Sequence, residues 1–505
     1  MMNQMFLFDT YQDEEMKKNY VVGRFSANQF CDDSARIKLE KKYESILDVT
    51  DKFDRRSVSY QLNKKDVLHS WLKYKEGFSA DLVNTLLDEM GAVEGDTVLD
   101  PFIGSGTTAL VCKMRGINSI GYDIMPISKV SIEAKANVLK YDQKELCSLI
   151  NEFSSLELPK DYEKKTPYIT ITNTAYPEYN EKFIQFATDW IAKSEYSDEA
   201  KNLFTLCIIN SLERCSYTIK SGQYLSWDSR SKKVQEANAE RIQKGQKLLP
   251  EYQCREIIEN VKKAITEELE HVFSDISTIQ VNSKVCEGAK INFIQKSVLF
   301  DLPSVDSEIF KGVITSPPYC NRYDYTRTYA LELVYLGLTE DTIKEMRQAL
   351  LSCTVESRSK IEALRDYYKS IGAGERFEFI KNTIQSNIAF CEILTAMKAR
   401  KENGDLNNNG VIRMIEGYFT ELAFIYAELY RTCKKGAMIA CVNDNVRYGG
   451  EVIPVDFLST SFAEQFGFKP VKIYCLKQQK GNSSQQMAKY GRVALRKSIT
   501  IWRKE

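Results

Sequence analysis

Between Thr97 and Asp123 the chain passes from a short apolar run, TVLD, through a glycine-bearing loop, DPFIGSG, into a helical stretch from about Thr107 to Met114. Gly116 then stops the helix, and a second apolar run, NSIGYD, follows. Strand, loop, helix and strand in that order form a βαβ unit, and such a unit commits its two strands to a parallel sheet with helices packed on it. The segment before it supports this reading. In FSADLVNTLLDEM, Leu82, Val83, Leu86, Leu87 and Met90 fall at helical spacing behind Ser79, whose hydroxyl is suited to cap the first turn.

Further strand-like runs are spread along the chain: GVITS ending at Ser316, KKGAMIACVND, and a closing pair VKIYCL and SITIWRK with the spacing of antiparallel neighbours. Their dispersal predicts one α/β sheet, doubly wound and Rossmann-like, interrupted by large helical insertions. Residues 1–60 read as an N-terminal extension. Segments 61–130, 286–336 and 430–505 make up the sheet-bearing domain. Residues 131–285 form an insertion too long for a connection, and 337–429 form a second helical insertion. With 505 residues, 43% hydrophobic and 27% charged, the chain has the composition of a folded protein with a large core.

Sixty-nine basic residues balance sixty-nine acidic ones, so no global positive field announces a nucleic-acid partner, and such a partner has to be sought in local patches. Thirteen Cys without a CxxC pair and only two His give no metal-ligand spacing, and they suit a reducing compartment. No apolar run approaches membrane-spanning length, so a cytoplasmic protein without membrane contact is expected.

Two loops carry the chemistry. In Asp100-Pro101-Phe102-Ile103-Gly104-Ser105-Gly106-Thr107-Thr108, glycines at a strand end let the backbone approach a ligand, and the following helix N-terminus favours an anionic group. Asp123 ends the next strand nineteen residues after Gly104, where an acid is suited to ribose hydroxyls. The third glycine of the dinucleotide fingerprint is missing, as is the GxxxxGK[ST] phosphate loop. The second loop is Thr315-Ser316-Pro317-Pro318-Tyr319. Two prolines fix the backbone, so the Ser316 hydroxyl and the Pro317 carbonyl become dedicated acceptors for the two hydrogens of a planar exocyclic amine. Tyr319 is suited to stack on a base.

Together, DPFIGSGTT with GYD and TSPPY resemble the cofactor and catalytic motifs of S-adenosylmethionine-dependent DNA amino-methyltransferases, and the serine-headed SPPY is similar to the cytosine-N4 branch. The resemblance covers about Leu68 to Tyr122 and Ile291 to Lys504. It implies a sheet with an antiparallel final strand, S-adenosylmethionine as cofactor, and duplex DNA as substrate. It also implies a restriction-modification or phage-defence setting with a cognate endonuclease as partner. Asp100, Gly104 and Gly106 would then line the methionine end, Asp123 the ribose and Ile124 the adenine, with Phe102 and Thr107 also binding the cofactor. Phe78 and Ser79 of KYKEGFS resemble the cofactor motif preceding the helix. The sequence departs from the family at Lys296, which stands where an acid is usual.

Cations interleave with aromatics at Arg214, Tyr224, Trp227, Arg230 and Lys233 in the first insertion. They do so again near the C-terminus at Lys489 and Arg492, extending to Arg496, and both stretches suit phosphate contact with stacking. Other readings of the same motifs are adenine-N6 methylation, RNA or tRNA methylation, and a non-catalytic nucleic-acid-binding subunit.

Overall fold

A computed structural model of the protein describes residues 20–75, 77–221, 224–282, 285, 287–477, 484–493 and 495–505. Its main sheet contains β1 (Leu47–Thr50), β2 (Thr97–Asp100), β3 (Asn118–Tyr122), β4 (Ile291–Ile294), β5 (Phe310–Thr315), β6 (Cys433–Asp444), β7 (Phe468–Leu476) and β8 (Lys497–Lys504). The spatial order is β1-β7-β8-β6-β5-β2-β3-β4. All neighbours are parallel except β8, which runs antiparallel to both β7 and β6. The expected antiparallel final strand is therefore present. β1 lies in the segment read as an N-terminal extension, and it closes one edge of the sheet beside β7.

Alternation along the strands gives the sheet two buried faces. On β6, Met438, Ala440 and Val442 pack with α1 (Ala80–Met90) and with Val111 and Cys112 of α2 (Thr107–Met114). The intervening Ile439 and Cys441 face the other way, toward α4 (Gly410–Thr432) and α5 (Val455–Gln465). A period of two on the strand thus meets a period of 3.6 on the helices, as a sheet covered on both faces requires. α4 buries Met414, Ile415, Tyr418, Phe419, Leu422, Ile425 and Leu429, an i, i+3, i+4 series. Each fully buried side chain of this kind stabilises the fold by about 1.5–3 kcal/mol. Ser79 caps α1, its Oγ accepting from Leu82 N–H at 3.3 Å, and Gly91 ends the helix in the left-handed conformation.

Within 131–285 the helices Gln143–Ser155, Glu178–Lys193, Asp198–Leu212 and Val261–Asn282 close around Phe153, Phe183 and Phe204. The strands Thr218–Ser221 and Tyr224–Trp227 add a hairpin among them. Tyr323, Tyr325 and Tyr329, just beyond the TSPPY loop, belong to the same core, so the insertion is welded to the segment that follows the second loop. Helices between 361 and 402 contribute Leu364, Tyr368, Phe377 and Ile393 to the core beneath α4. Among the described residues no helix is long and apolar enough to cross a membrane.

Candidate functional site

The two loops meet where β2, β3 and β5 end, the edge of a parallel sheet at which ligands bind in folds of this class. Asp100 joins them. Its carboxylate accepts from Thr108 Oγ1 at 2.7 Å, from Thr315 Oγ1 at 2.9 Å and from Phe102 N–H at 3.1 Å, tying β2 to α2 and to the end of β5. The residue is buried, and burial pushes its pKa up to about 6 although all three bonds oppose the shift. Asp100 therefore builds the loop from behind.

Both loop glycines have positive φ, 51° at Gly104 and 87° at Gly106. A Cβ on Gly104 would stand 3.0 Å from the Tyr74 ring, and one on Gly106 would stand 2.6 Å from Ile132 Cγ1. Ile132 belongs to α3 (Pro126–Ala136), which forms the rear wall of the loop. On the same face, one turn earlier, Ser128 Oγ donates to Asp123 Oδ2 at 2.8 Å, while Ser131 Oγ and Lys135 Nζ reach the Ser105 carbonyl at 3.4 and 2.9 Å. Asp123 Oδ1 accepts from Met125 N–H at 2.8 Å. Burial raises the Asp123 pKa to about 6, partly offset by these bonds.

In front of the loop is a cleft enclosing about 750 Å³ of empty space including its mouth. Of the residues expected at a cofactor, Phe78, Phe102, Gly104, Thr107, Asp123 and Ile124 line it. Ser79, Asp100 and Gly106 stand behind it in supporting positions. Ser316 and Pro318 line the same cleft, so the structure brings the two loops onto one cavity. Lys296 also lines it, with its ammonium 2.7 Å from Asp301 Oδ1, and Tyr122 OH donates to the other oxygen of that carboxylate at 3.0 Å. A basic side chain, neutralised locally, thus occupies the place where the resemblance implies an acid.

Two aromatic residues that sequence reasoning missed complete the wall. Tyr74 and Tyr325 line the cleft, their rings near parallel at 6.4 Å, and Tyr74 stacks on Tyr329 at 5.2 Å. Tyr74 lies in the quoted KYKEGFS, where the attention went to Phe78 and Ser79. Tyr325 follows the prolines by seven residues and returns to the cleft because the chain turns at Asp324, which caps the short helix Tyr325–Thr328.

At the second loop, Ser316 Oγ donates to Tyr319 OH at 3.0 Å. Its single proton is thereby used, and its lone pairs remain as acceptors. The Tyr319 ring is buried, with Lys497 Nζ 4.9 Å from its centroid, so in this arrangement it orients Ser316 and does not face the cleft. Pro317 is buried beside it. Cys320 is buried as well, which raises its thiol pKa and leaves no thiolate. Among the described residues no three His, Cys, Asp or Glu side chains converge as metal ligands.

The cation and aromatic stretches divide. Arg214 pairs with Glu259, Glu267 and Glu268 at 3.1–3.5 Å. Arg230 grips Asp228 through Nε at 2.8 Å and Nη2 at 2.7 Å, and it also donates to the carbonyls of Arg255 and Glu256, so that Asp228 is held well below the usual carboxylate range. Both charges are compensated within the insertion. Lys233 Nζ sits 4.3 Å from the Trp227 ring centroid. Lys489 pairs with Asp405 at 2.8 Å, and Arg492 is exposed. The side chain of Tyr224 lies outside the described residues. Arg496 needs correction as a phosphate contact: it is fully buried against Asp456 at 2.7 Å and Glu40 at 3.2 Å.

Comparison with known proteins agrees with this geometry. Residues 9–132 match a family model described as DNA methylase. The chain is 50% identical to the Type II methyltransferase M.BsoBI of Geobacillus stearothermophilus over 98% of each chain. It is 36% identical to the Type II methyltransferase M.AvaI of Nostoc sp. over 92% of each. A shorter likeness, 30% over 28% of this chain, relates it to the Type II methyltransferase M.MjaII of Methanocaldococcus jannaschii. With a mostly parallel sheet, two loops on one cleft and relatives similar over nearly the whole length, the chain belongs to the DNA amino-methyltransferase family of Type II methyltransferases.

Proposed function

We propose that the protein transfers a methyl group from S-adenosylmethionine to the N4 amine of cytosine in duplex DNA. The observation that carries this reading is the convergence of Asp123, the glycine loop and Ser316 on one cleft. The cleft fits the cofactor. Asp123 offers a carboxylate for a ribose diol, the N-terminus of α2 favours a carboxylate, and Ile124, Val298 and Phe78 provide apolar surface for an adenine. Lys296, also on the wall, has no assigned place in that fit. When bound, the cofactor supplies an electrophilic methyl carbon on sulfonium.

This chain's own residues orient the acceptor. The amine's lone pair is delocalised into the base, so it needs acceptors for its two hydrogens before it can point at carbon. The proposed acceptors are Ser316 Oγ, which lines the cleft with its proton given to Tyr319, and the carbonyl of the adjoining Pro317. A base inside a stacked pair cannot reach the cleft, so it must be flipped out at a cost of a few kcal/mol. Tyr325, which lines the cleft where Tyr319 does not, is the better stacking partner for it. Orientation then supplies the rate, with no covalent enzyme intermediate. Trp227, Lys233 and Arg492 are proposed DNA contacts, with Lys489, Arg214 and Arg230 in support, and a cognate restriction endonuclease is the proposed partner system. The preference for cytosine rests on serine at 316, since a carboxylate or a hydroxyl can accept from either amine.

Transfer of tritiated methyl from S-adenosylmethionine to duplex DNA tests the reading. Ser316→Ala should lose most of the transfer and keep cofactor affinity; a variant with undiminished transfer would remove Ser316 from the mechanism.

A further inference from the structure

Lys135 is the most anomalous charged group near the cleft. It is 1% exposed, and among the described residues it has no ion-pair partner; its ammonium donates to one neutral oxygen, the Ser105 carbonyl, at 2.9 Å. An ammonium buried without an anion costs stability, so its presence calls for a compensating use. Burial alone lowers its pKa, to about 7, and the neighbouring His69, also buried, is pushed down to about 3 with Lys135 contributing. Nothing in the proposed chemistry employs either group.

The bond that Lys135 makes is specific in what it holds. The Ser105 carbonyl belongs to the peptide linking Ser105 to Gly106, and the N–H of that peptide donates to the Ile103 carbonyl at 2.9 Å. The peptide is thus pinned at both ends. Gly106 has φ of 87°, a region that places little steric restriction on a glycine, so without the carbonyl anchor rotation of the plane is opposed mainly by the single N–H bond to Ile103. Rotation would turn a carbonyl oxygen, a negative end, toward the start of α2, where an anionic group is favoured only while N–H groups point outward. Ser131 makes a longer bond to the same oxygen, 3.4 Å against 2.9 Å for Lys135, and is the weaker anchor.

We infer that Lys135 is a positioning residue for the cofactor: from the rear wall of the loop it fixes the Ser105–Gly106 peptide so that the glycine loop presents its donors to the carboxylate of S-adenosylmethionine. This rests on the assignment of the cleft to that cofactor. It carries a consequence that an ordinary structural lysine does not. Removing the ammonium should leave the unliganded protein at least as stable while weakening the cofactor.

Lys135→Met keeps the side-chain volume and deletes the charge. Isothermal titration of the full chain with S-adenosylmethionine should show Kd raised about tenfold or more, with the Tm of the ligand-free protein no lower than that of the parent. An unchanged Kd overturns the inference, and so does a weaker Kd accompanied by a lower Tm, which marks a simple structural prop. If Lys135→Met does not fold, the inference is likewise overturned as a trade of stability for binding unless Lys135→Gln, folded and uncharged, shows the raised Kd with no loss of Tm. The parent protein, titrated in parallel, separates the two claims: if it does not bind S-adenosylmethionine, the cleft assignment fails, whereas normal parent binding with an unaffected variant sinks only Lys135.

Discussion

Substituting Gly106 with Ala tests how the loop is built. At φ of 87° a side chain brings backbone strain of about 1–2 kcal/mol. The new Cβ would stand 2.6 Å from Ile132 Cγ1, a methylene next to the β-branch of a side chain only 1% exposed in the core, which has little room to swing away. Overpacking of that kind adds about 1–3 kcal/mol. The expected loss is therefore about 2–5 kcal/mol, a large part of the about 5–15 kcal/mol of a typical protein. Urea unfolding of Gly106→Ala, Ile132→Ala and the double variant separates the two terms. Ile132→Ala alone should cost about 2–5 kcal/mol for its cavity. In the double variant the clash is gone, so the changes should fall short of additivity by the steric share, about 1–3 kcal/mol, leaving the backbone term. Strict additivity would refute the contact between α3 and the loop as the reason for glycine at 106.

Asp123 yields a pH prediction with opposite signs for binding and stability. Its pKa, raised to about 6 from the ordinary 3.8, means that the folded protein holds the proton more tightly than the unfolded chain. The stability it contributes is present below about 4 and is lost as pH rises through about 6; Asp100 acts in the same direction. Cofactor affinity should do the reverse, falling as pH drops through about 6, and calorimetric titration of Asp123→Asn should show that slope flattened; a slope retained in the variant assigns the titration elsewhere. Tyr319→Phe removes the acceptor of the Ser316 proton and should lower kcat about 2- to 10-fold with cofactor Kd unchanged, as expected for one hydrogen bond. Equal kcat would show that the hydroxyl does not depend on Tyr319. Lys233→Ala should reduce the salt slope of DNA binding by about one unit, and an unaltered slope would place Lys233 away from phosphate.

The βαβ unit, α1 with its Ser79 cap and the antiparallel closing pair were legible because their periodicity is local. Two four-residue strands were not: LDVT and INFI, β1 and β4, lie in charged surroundings and acquire strand character only by pairing with β7 and β3 at the sheet edges. The glycine loop and the TSPPY loop were legible through spacing, but their division into lining and supporting residues was not, since Asp100 turns inward on bonds to Thr315, distant in sequence. The rear wall had a readable signal, because Ser128, Ser131, Ile132 and Lys135 lie on one helical face directly after the acid at 123. Basic residues were the least legible. Asp228 stands two places before Arg230 and could have warned of pairing, whereas Arg496 meets Glu40 across the whole chain.

The most direct measurement is the identity of the methylated base. Duplex DNA incubated with the protein and S-adenosylmethionine carrying a deuterated methyl group is digested to nucleosides and resolved by mass spectrometry. The proposed function predicts label on N4-methylcytosine. Label on N6-methyladenine would contradict the choice of base made from Ser316 while keeping amine chemistry at the cleft, and label at carbon 5 of cytosine would contradict the mechanism itself.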